Sequence, residues 1–600
     1  MSDTQRVPRR DEIPAEYTWD LTTVYASDAA WEAEIAQFEA DLPQITALQG
    51  SVGSDAQTLL KALKLRDNLQ QRLWQLYIYA GRRSDSDNTD PRGQALSDRA
   101  GSLVARASAA MAFVEPEILG IAEETLSAWQ AEEPGLAVYG YALAQLAAQR
   151  PHIRSAEVEG ILAEFSDITR APSDIFEMLT TADLEFGSIE DDQGQTIQLS
   201  HARFGRLLES QNQRVRRDAF QVFYKSIRGI RNTLGTTLAA EIRSHVLGAR
   251  LRGFGSALEA ALKPNDIPLD VYHNLISTVN ANLPRLHRYV RLRKQILGLN
   301  ELHFYDMYHS LVPSTDVAVP YAEGQRLMLE AFKPLGSAYG EVVARSFTSR
   351  WIDVYENQGK RSGAYSDGSY TTAPFILLNY QDKLRDAYTL AHELGHSMHS
   401  YFTRKNQPFV YGNYTIFVAE VASTLNEALL TDYLLKTSDD RDLRRALIMQ
   451  QLDDIRMTLF RQTMFAEFEL DMHRRVEAGE PLTADNLSAP YAELVGRYYG
   501  PDMVVDEELS LEWARIPHFY YNFYVYQYAT GLAASLALSK QILSEGQPAV
   551  DRYLKFLSSG SSRSSIDLLR GAGVDMASPA PIQAAMETFD QLMDEFEALS

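Results

Sequence analysis

The stretch Thr389-Leu390-Ala391-His392-Glu393-Leu394-Gly395-His396-Ser397-Met398-His399 decides how this chain is read. On a helix, His392 and His396 stand one turn apart, so both imidazoles project from one face and can converge on a single Zn²⁺. Glu393, one position past the first histidine, turns aside from that pair toward where a metal-bound water would sit, the place of a general base. The flanks favour a helix: Leu390, Ala391, Leu394 and Met398 form an apolar side, and Asp386 is the expected N-cap. H-E-x-x-H also arises by chance, and the competing reading is a buried helix whose histidines are merely hydrogen-bonded. His399 is a rival third ligand on nearly the same face. It lies about 10 Å along the axis from His392, too far for three imidazoles of one straight helix to surround a small tetrahedral ion easily. The third ligand is therefore expected from another helix.

Residues 417–427, Phe-Val-Ala-Glu-Val-Ala-Ser-Thr-Leu-Asn-Glu, offer that helix. Glu420 falls among the apolar positions Phe417, Val418, Val421, Ala422 and Leu425, and an unpaired carboxylate buried there would be costly. It follows His396 by 24 residues, room to finish the first helix, turn and return antiparallel. A carboxylate brought back in this way completes a His₂Glu set with the fourth position open, the catalytic rather than the structural pattern. Glu427 shares the face of Glu420, with Ser423 between them. It is either a partner holding a ligand histidine by its second ring nitrogen or an ordinary salt-bridge residue.

H-E-L-G-H-S-M-H followed by F-V-A-E-V-A-S-T-L-N-E resembles the thimet-oligopeptidase-like zinc peptidases, and within them the oligoendopeptidase F group. The resemblance extends to residues 359–365, 374–380 and 516–524, and to 17–21 near the start, so it covers nearly the whole chain. It implies a mostly α, multi-helical zincin-type fold, with two helical halves around a deep substrate channel and the zinc helix on its floor. It also implies one Zn²⁺ per chain on His392, His396 and Glu420, with Glu427 behind them. The implied activity is hydrolysis of internal bonds in short oligopeptides, with Glu393 as base. The aromatic run from His518 to Tyr528 reads as core or as a polar cavity, because phenols beside a histidine want hydrogen-bond partners. As a helix it would place Tyr521, Tyr524 and Tyr528 on one face. By resemblance, Tyr528 donates to the developing oxyanion and His518 assists, while Tyr521 and Tyr524 contact substrate. Two rivals share the motif: a zinc carboxypeptidase or aminopeptidase, which must recognise a chain terminus, and a non-catalytic peptide-binding scaffold, against which the intact Glu393 speaks.

The remaining sequence bounds these readings. The 600 residues contain no Cys and no 18-residue apolar run, and Met1 to Pro8 has no apolar signal core, so a cytoplasmic protein without a membrane span is expected. A net charge of −23 argues against nucleic-acid binding, which Lys and Arg drive; it either steers cationic peptides or keeps the surface soluble. Nothing in the sequence bears on oligomeric state.

Amphipathic helices are expected at 31–38, 69–80 and 96–113, the last ending near Pro116. A β-hairpin is expected within 186–197, and then a helix capped by Ser200. The boundary between an N-terminal helical region, 1–200, and a catalytic region, 201–600, is placed there. Further helices are punctuated at Pro264, Pro268, Pro284, Pro313 and Pro320, with a basic, solvated face over 285–299. Short segments at 351–355, around Gly363, and at 375–380 suggest a small sheet just before the zinc helix. Its edge is either purely structural or a docking edge for an extended peptide. The resemblance favours docking, with Gly363 and Ala364 small enough for close approach.

Overall fold

Helix Leu384–Asn406, which carries the H-E-x-x-H motif, is held between a small sheet and a second helix, Ile416–Thr437. The computed structural model describes residues 6–312 and 317–599. Met1 to Gln5 and Pro313 lie outside the described residues. The chain packs as two units, neither continuous in sequence: residues 1–150, 316–436 and 538–574 form one, and residues 151–315, 437–537 and 575–600 the other. This partition by packing differs from a cut in sequence order near residue 200.

In the first unit, Asp55 caps the 31-residue helix Ala56–Ser86 by accepting from the Thr58 N–H. Its buried residues, among them Leu59, Leu63, Leu73 and Leu76, join a core with Trp31, Ile35 and Phe38 of helix Asp28–Asp41 and Leu96, Ala100 and Leu103 of helix Pro91–Met111. Two of the three expected helices lie inside longer ones. The third starts earlier and stops at Met111, and Pro116 belongs to a separate short helix, Val114–Leu119.

The three-stranded sheet has Phe375–Tyr380 at its centre, parallel to Ile352–Tyr355 and antiparallel to Tyr365–Asp367. The central strand is buried almost throughout, which is why it reads as a continuous apolar run rather than an alternation. Its Phe375 and Leu377 enter the same core as Trp31. Tyr365–Asp367 is the outer strand on one side, and it lies against the motif helix.

The two site helices run antiparallel, as their contacts show. Tyr388 meets Thr431, His392 meets Glu427, and the Asn426 side-chain amide donates to the Ala391 carbonyl at 3.1 Å. Gly395 explains how closely they cross. A Cβ there would sit 2.5 Å from both the Ala422 carbonyl oxygen and the Ser423 Cα, so a larger residue would force the helices apart. The start of the motif helix differs from the expectation. Lys383 is the N-cap, and Asp386 lies inside the first turn, where its carboxylate accepts from the Lys383 and Gln381 N–H groups. Asp386 satisfies the orphan donors from within the helix rather than from its boundary.

The second unit is built from helices including Gln213–Gly229, Arg231–Leu251, Leu269–Ala281, Arg461–Glu477 and Ala580–Ala598. The hairpin Ser188–Glu190/Thr196–Gln198 forms as expected, and Ser200 caps helix His201–Leu208 through the Arg203 N–H. The basic face after residue 285 is not simply solvated. Arg285 and Arg288 pair with Asp590, Arg288 also with Asp594 and Glu597, and Arg293 is wholly buried. The acidic C-terminal helix supplies these partners, a long-range pairing that local composition does not reveal. Among the described residues, no helix is long and apolar enough to cross a membrane.

Candidate metal centre and catalytic site

Because the helices cross at Gly395, Glu420 reaches the two histidines. The Glu420 Oε2 atom lies 3.3 Å from His392 Nε2 and 3.5 Å from His396 Nε2, and the two nitrogens are 3.2 Å apart. A tetrahedral ion with bonds of about 2.0–2.1 Å separates its ligands by about 3.3 Å, so this triangle fits such an ion. Among the described residues these three form the one group of metal-ligand type. Glu420 is not buried as the apolar pattern suggested; its side chain is 37% exposed. It lies on the open side of its helix, where ligation requires it.

Each ligand is held from behind. His392 Nδ1 lies 2.8 Å from Glu427 Oε1, which directs Nε2 into the triangle. His396 makes a backbone hydrogen bond to Ala419. The Ser423 hydroxyl donates to Glu420 Oε2 at 2.9 Å. One layer further out, the Tyr339 hydroxyl donates to Asn426, which in turn ties the helices together through Ala391. Asn426 and Gly395 were overlooked as site-building residues. The available signal was a polar side chain and a glycine set among apolar helix positions.

The electrostatics suit a cation. Burial works against a charged His392, but hydrogen bonds to Glu420 and Glu427 hold it charged up to about 10. Burial would raise Glu420, yet its hydrogen bond to His392 and the nearby imidazoles hold it down at about 2. Burial lowers His396 to about 4, leaving it neutral, as a ligand must be. In this charge balance the protein itself places one positive charge among two carboxylates.

Glu393 and His399 stand apart from the triangle. Glu393 is buried and pushed up to about 7, chiefly by burial, with Glu420 and Glu427 adding to the effect and His392 opposing it. It accepts a backbone hydrogen bond from Ser366 in the outer strand, while its Oε2 is buried without a partner in the protein. Ser366 also pairs its hydroxyl with Ser397 at 2.7 Å, so the strand is docked on the face of the helix that carries Glu393. Gly363 and Ala364, the residues expected to line the docking edge, lie just before this strand, and Ser366 within it makes the contact to Glu393. Gly363 is exposed with φ +84°, and its carbonyl accepts from Asn379, so glycine is needed there for the turn that leads into the strand. His399 is 1% exposed and stacked on Tyr414, with ring centroids 3.7 Å apart.

His518, Tyr521, Tyr524 and Tyr528 gather in the second unit. The His518 ring lies 5.5, 6.4 and 6.0 Å from the rings of Tyr521, Tyr524 and Tyr528, and Tyr524 and Tyr528 are 5.4 Å apart. They do not share a helical face, contrary to expectation. His518 lies on the short turn Pro517–Tyr520, the helix begins only at Tyr526, and Asn522 and Phe523 between them adopt φ of 46° and 59°. A left-handed kink folds the rings together.

The sequence profile of Peptidase family M3 matches residues 206–588, and that of Oligopeptidase F matches 117–186. This chain belongs to peptidase family M3. It is 46% identical over 594 residues to Oligopeptidase PepF of Bacillus subtilis (strain 168), covering 99% of this chain and 89% of that protein. It is 41% identical over 590 residues to Group B oligopeptidase PepB of Streptococcus agalactiae serotype III (strain NEM316), covering 98% of each. Among solved structures, oligoendopeptidase-F from Enterococcus faecium superposes with a TM-score of 0.74 at 38% identity, covering 95% of this chain and 99% of that one. The protein is a metallopeptidase, and the fold is of the multi-helical zincin-like kind.

Proposed function

We propose that this family M3 member is a zinc-dependent oligoendopeptidase that cuts internal bonds of short peptides in the cytoplasm. The observation that carries the reading is the triangle of His392, His396 and Glu420 with Glu393 beside it but outside it. His392, His396 and Glu420 would hold the zinc ion, which when bound would acidify a water and polarise the scissile carbonyl. Glu393 takes the proton of the attacking water and passes it to the leaving amine. Burial raises its proton affinity above that of an ordinary carboxylate, the direction that suits a group that must take and return a proton. Glu427 keeps His392 in the tautomer and orientation that ligation needs. The outer strand Tyr365–Asp367, with Gly363 and Ala364 in the turn just before it, pairs with the extended substrate through main-chain hydrogen bonds, which accommodates varied sequences. By the family resemblance, Tyr528 donates to the developing oxyanion, His518 assists, and Tyr521 and Tyr524 contact the peptide. The Cys-free composition supports a reducing compartment.

The test uses internally quenched peptides blocked at both ends. They should be cut by the purified enzyme, lose cleavage with chelator and regain it with Zn²⁺. Cleavage restricted to peptides with a free terminus would make the enzyme an exopeptidase, and binding without turnover would make it a scaffold.

A further inference from the structure

The left-handed kink of the second unit is the most strained backbone near the aromatic cluster. Asn522 and Phe523 are consecutive non-glycine residues at positive φ, a disfavoured conformation that persists only where the surroundings impose it. Those surroundings are specific. Glu469, on helix Arg461–Glu477 and wholly buried, accepts the Phe523 N–H on Oε1 at 2.6 Å. One turn further on, His473 packs its ring 4.3 Å from that of Phe523, and Tyr272 of helix Leu269–Ala281 meets it edge-on at 5.7 Å. Just upstream, the Tyr520 hydroxyl pairs with Thr237 at 2.8 Å, and its ring stacks on Phe176.

His473 is itself fixed by a directed chain of hydrogen bonds. The Glu469 carbonyl can only accept, so His473 Nδ1 donates to it at 2.8 Å. Burial pushes His473 down to about 3, so the ring is neutral and its Nε2 accepts from His245 Nδ1 at 3.2 Å. His245 Nε2 then faces Glu241 Oε1 at 3.2 Å. Thr237, Glu241 and His245 recur at four-residue steps on helix Arg231–Leu251, forming a polar stripe along one face.

A buried carboxyl is expensive, and Glu469 Oε2 has no partner at all. A leucine would fill the space at lower cost. What Glu469 adds is an acceptor for the N–H of a residue held in a disfavoured conformation. We infer that Glu469, backed by His473, is a positioning residue for the peptidase reaction, locking the Asn522–Phe523 kink and thereby setting the rings of His518, Tyr521, Tyr524 and Tyr528. The inference rests on the reading that this cluster serves the reaction. Because burial pushes Glu469 up to about 8, the neutral acid is the form present near neutrality, and glutamine reproduces it.

The test compares Glu469→Leu, Glu469→Gln and Phe523→Ala in the full-length, zinc-loaded enzyme, with kcat and KM read on a blocked quenched peptide. Zinc content and melting temperature are measured on the same samples. Glu469→Leu should lower kcat by about 10–100-fold with KM within about twofold, and Glu469→Gln should restore kcat to within about threefold. Phe523→Ala keeps the N–H but removes the ring from His473, so kcat should fall by about 3–10-fold. A folded, zinc-loaded Glu469→Leu with wild-type kcat overturns the inference, as does a Glu469→Gln as impaired as the leucine variant. If Glu469→Leu does not fold, wild-type kcat in Phe523→Ala overturns it instead. Tyr524→Phe and Tyr528→Phe are measured alongside. Full kcat in both, and in Tyr521→Phe as well, would show that the phenols of the cluster have no part in the reaction. Loss in those two but not in Glu469→Leu removes only the positioning role.

Discussion

The helix pair around Gly395 and the kinked segment around Phe523 bring chemical groups together in opposite ways. In the first, two regular helices cross, and each candidate metal ligand occupies the position that helical periodicity assigns it. The strain is low, and the one special demand is the missing Cβ of Gly395. In the second, four rings converge because the backbone leaves regular geometry at two residues and is held there by partners on other helices. A site made by periodicity tolerates change away from its contact points. A site made by a kink depends on whatever imposes the kink.

The sharpest break in this contrast comes at the centre of the helix pair. Glu393→Gln should leave zinc bound and lower kcat by ~10²–10⁴-fold, because general-base catalysis is of that size. Loss of stoichiometric zinc in that variant would make Glu393 a ligand. On the other side of the comparison, Tyr528→Phe keeps the ring, so kcat should fall by about 10²–10³-fold with little change in KM or melting temperature. If Tyr521→Phe or Tyr524→Phe is the crippled variant instead, the kink presents a different hydroxyl and the mechanism stands.

Metal titration sharpens the helix-pair half. Glu420→Ala should lose zinc most strongly, Glu427→Ala should lose roughly 10–100-fold in affinity or activity, and His399→Ala should keep its metal. A reversed order for Glu420 and His399 would dismantle the two-helix site. Gly395→Ala should cost about 1–3 kcal/mol of stability, the usual range for overpacking, and should weaken zinc binding as Glu420 moves away. An alanine variant with unchanged zinc affinity would show that the close crossing is dispensable.

The remaining effect is a pH dependence in the kinked half. Glu469 is raised from 4.5 to about 8 in the folded protein, which therefore holds this proton more tightly than the unfolded chain does. The stability it contributes is full below about 4.5 and is lost as pH rises through about 8. Glu469→Gln has no such proton, so its melting temperature should fall less than that of the wild type across this window. Parallel curves for the two proteins would mean that Glu469 titrates normally.

Helical periodicity made the candidate metal centre legible. The i, i+4 spacing of His392 and His396, the offset of Glu393 and the return distance to Glu420 are all properties of regular helices, and they appear directly as intervals along the chain. Asp386 does cap the helix, but from the third helical position, so the helix starts three residues earlier than expected; an aspartate can satisfy the same N–H groups from the cap or from inside the first turn. Glu420 looked buried because its neighbours are apolar, although exposure depends on what lies opposite the helix.

What only the tertiary structure decided follows one rule: it involves partners far apart in sequence. The Ser366 N–H on Glu393 comes from a strand whose docking the chain order does not specify. The acidic partners of Arg285 and Arg288 lie some three hundred residues away. The Asn522–Phe523 kink carries no glycine to announce it; its positive φ is imposed by Glu469 and its neighbours rather than chosen by the local residues. Local sequence encodes the repeat of a helix because that repeat is a local property of the backbone. It does not encode a strained turn whose cost is met by groups brought in from elsewhere in the fold.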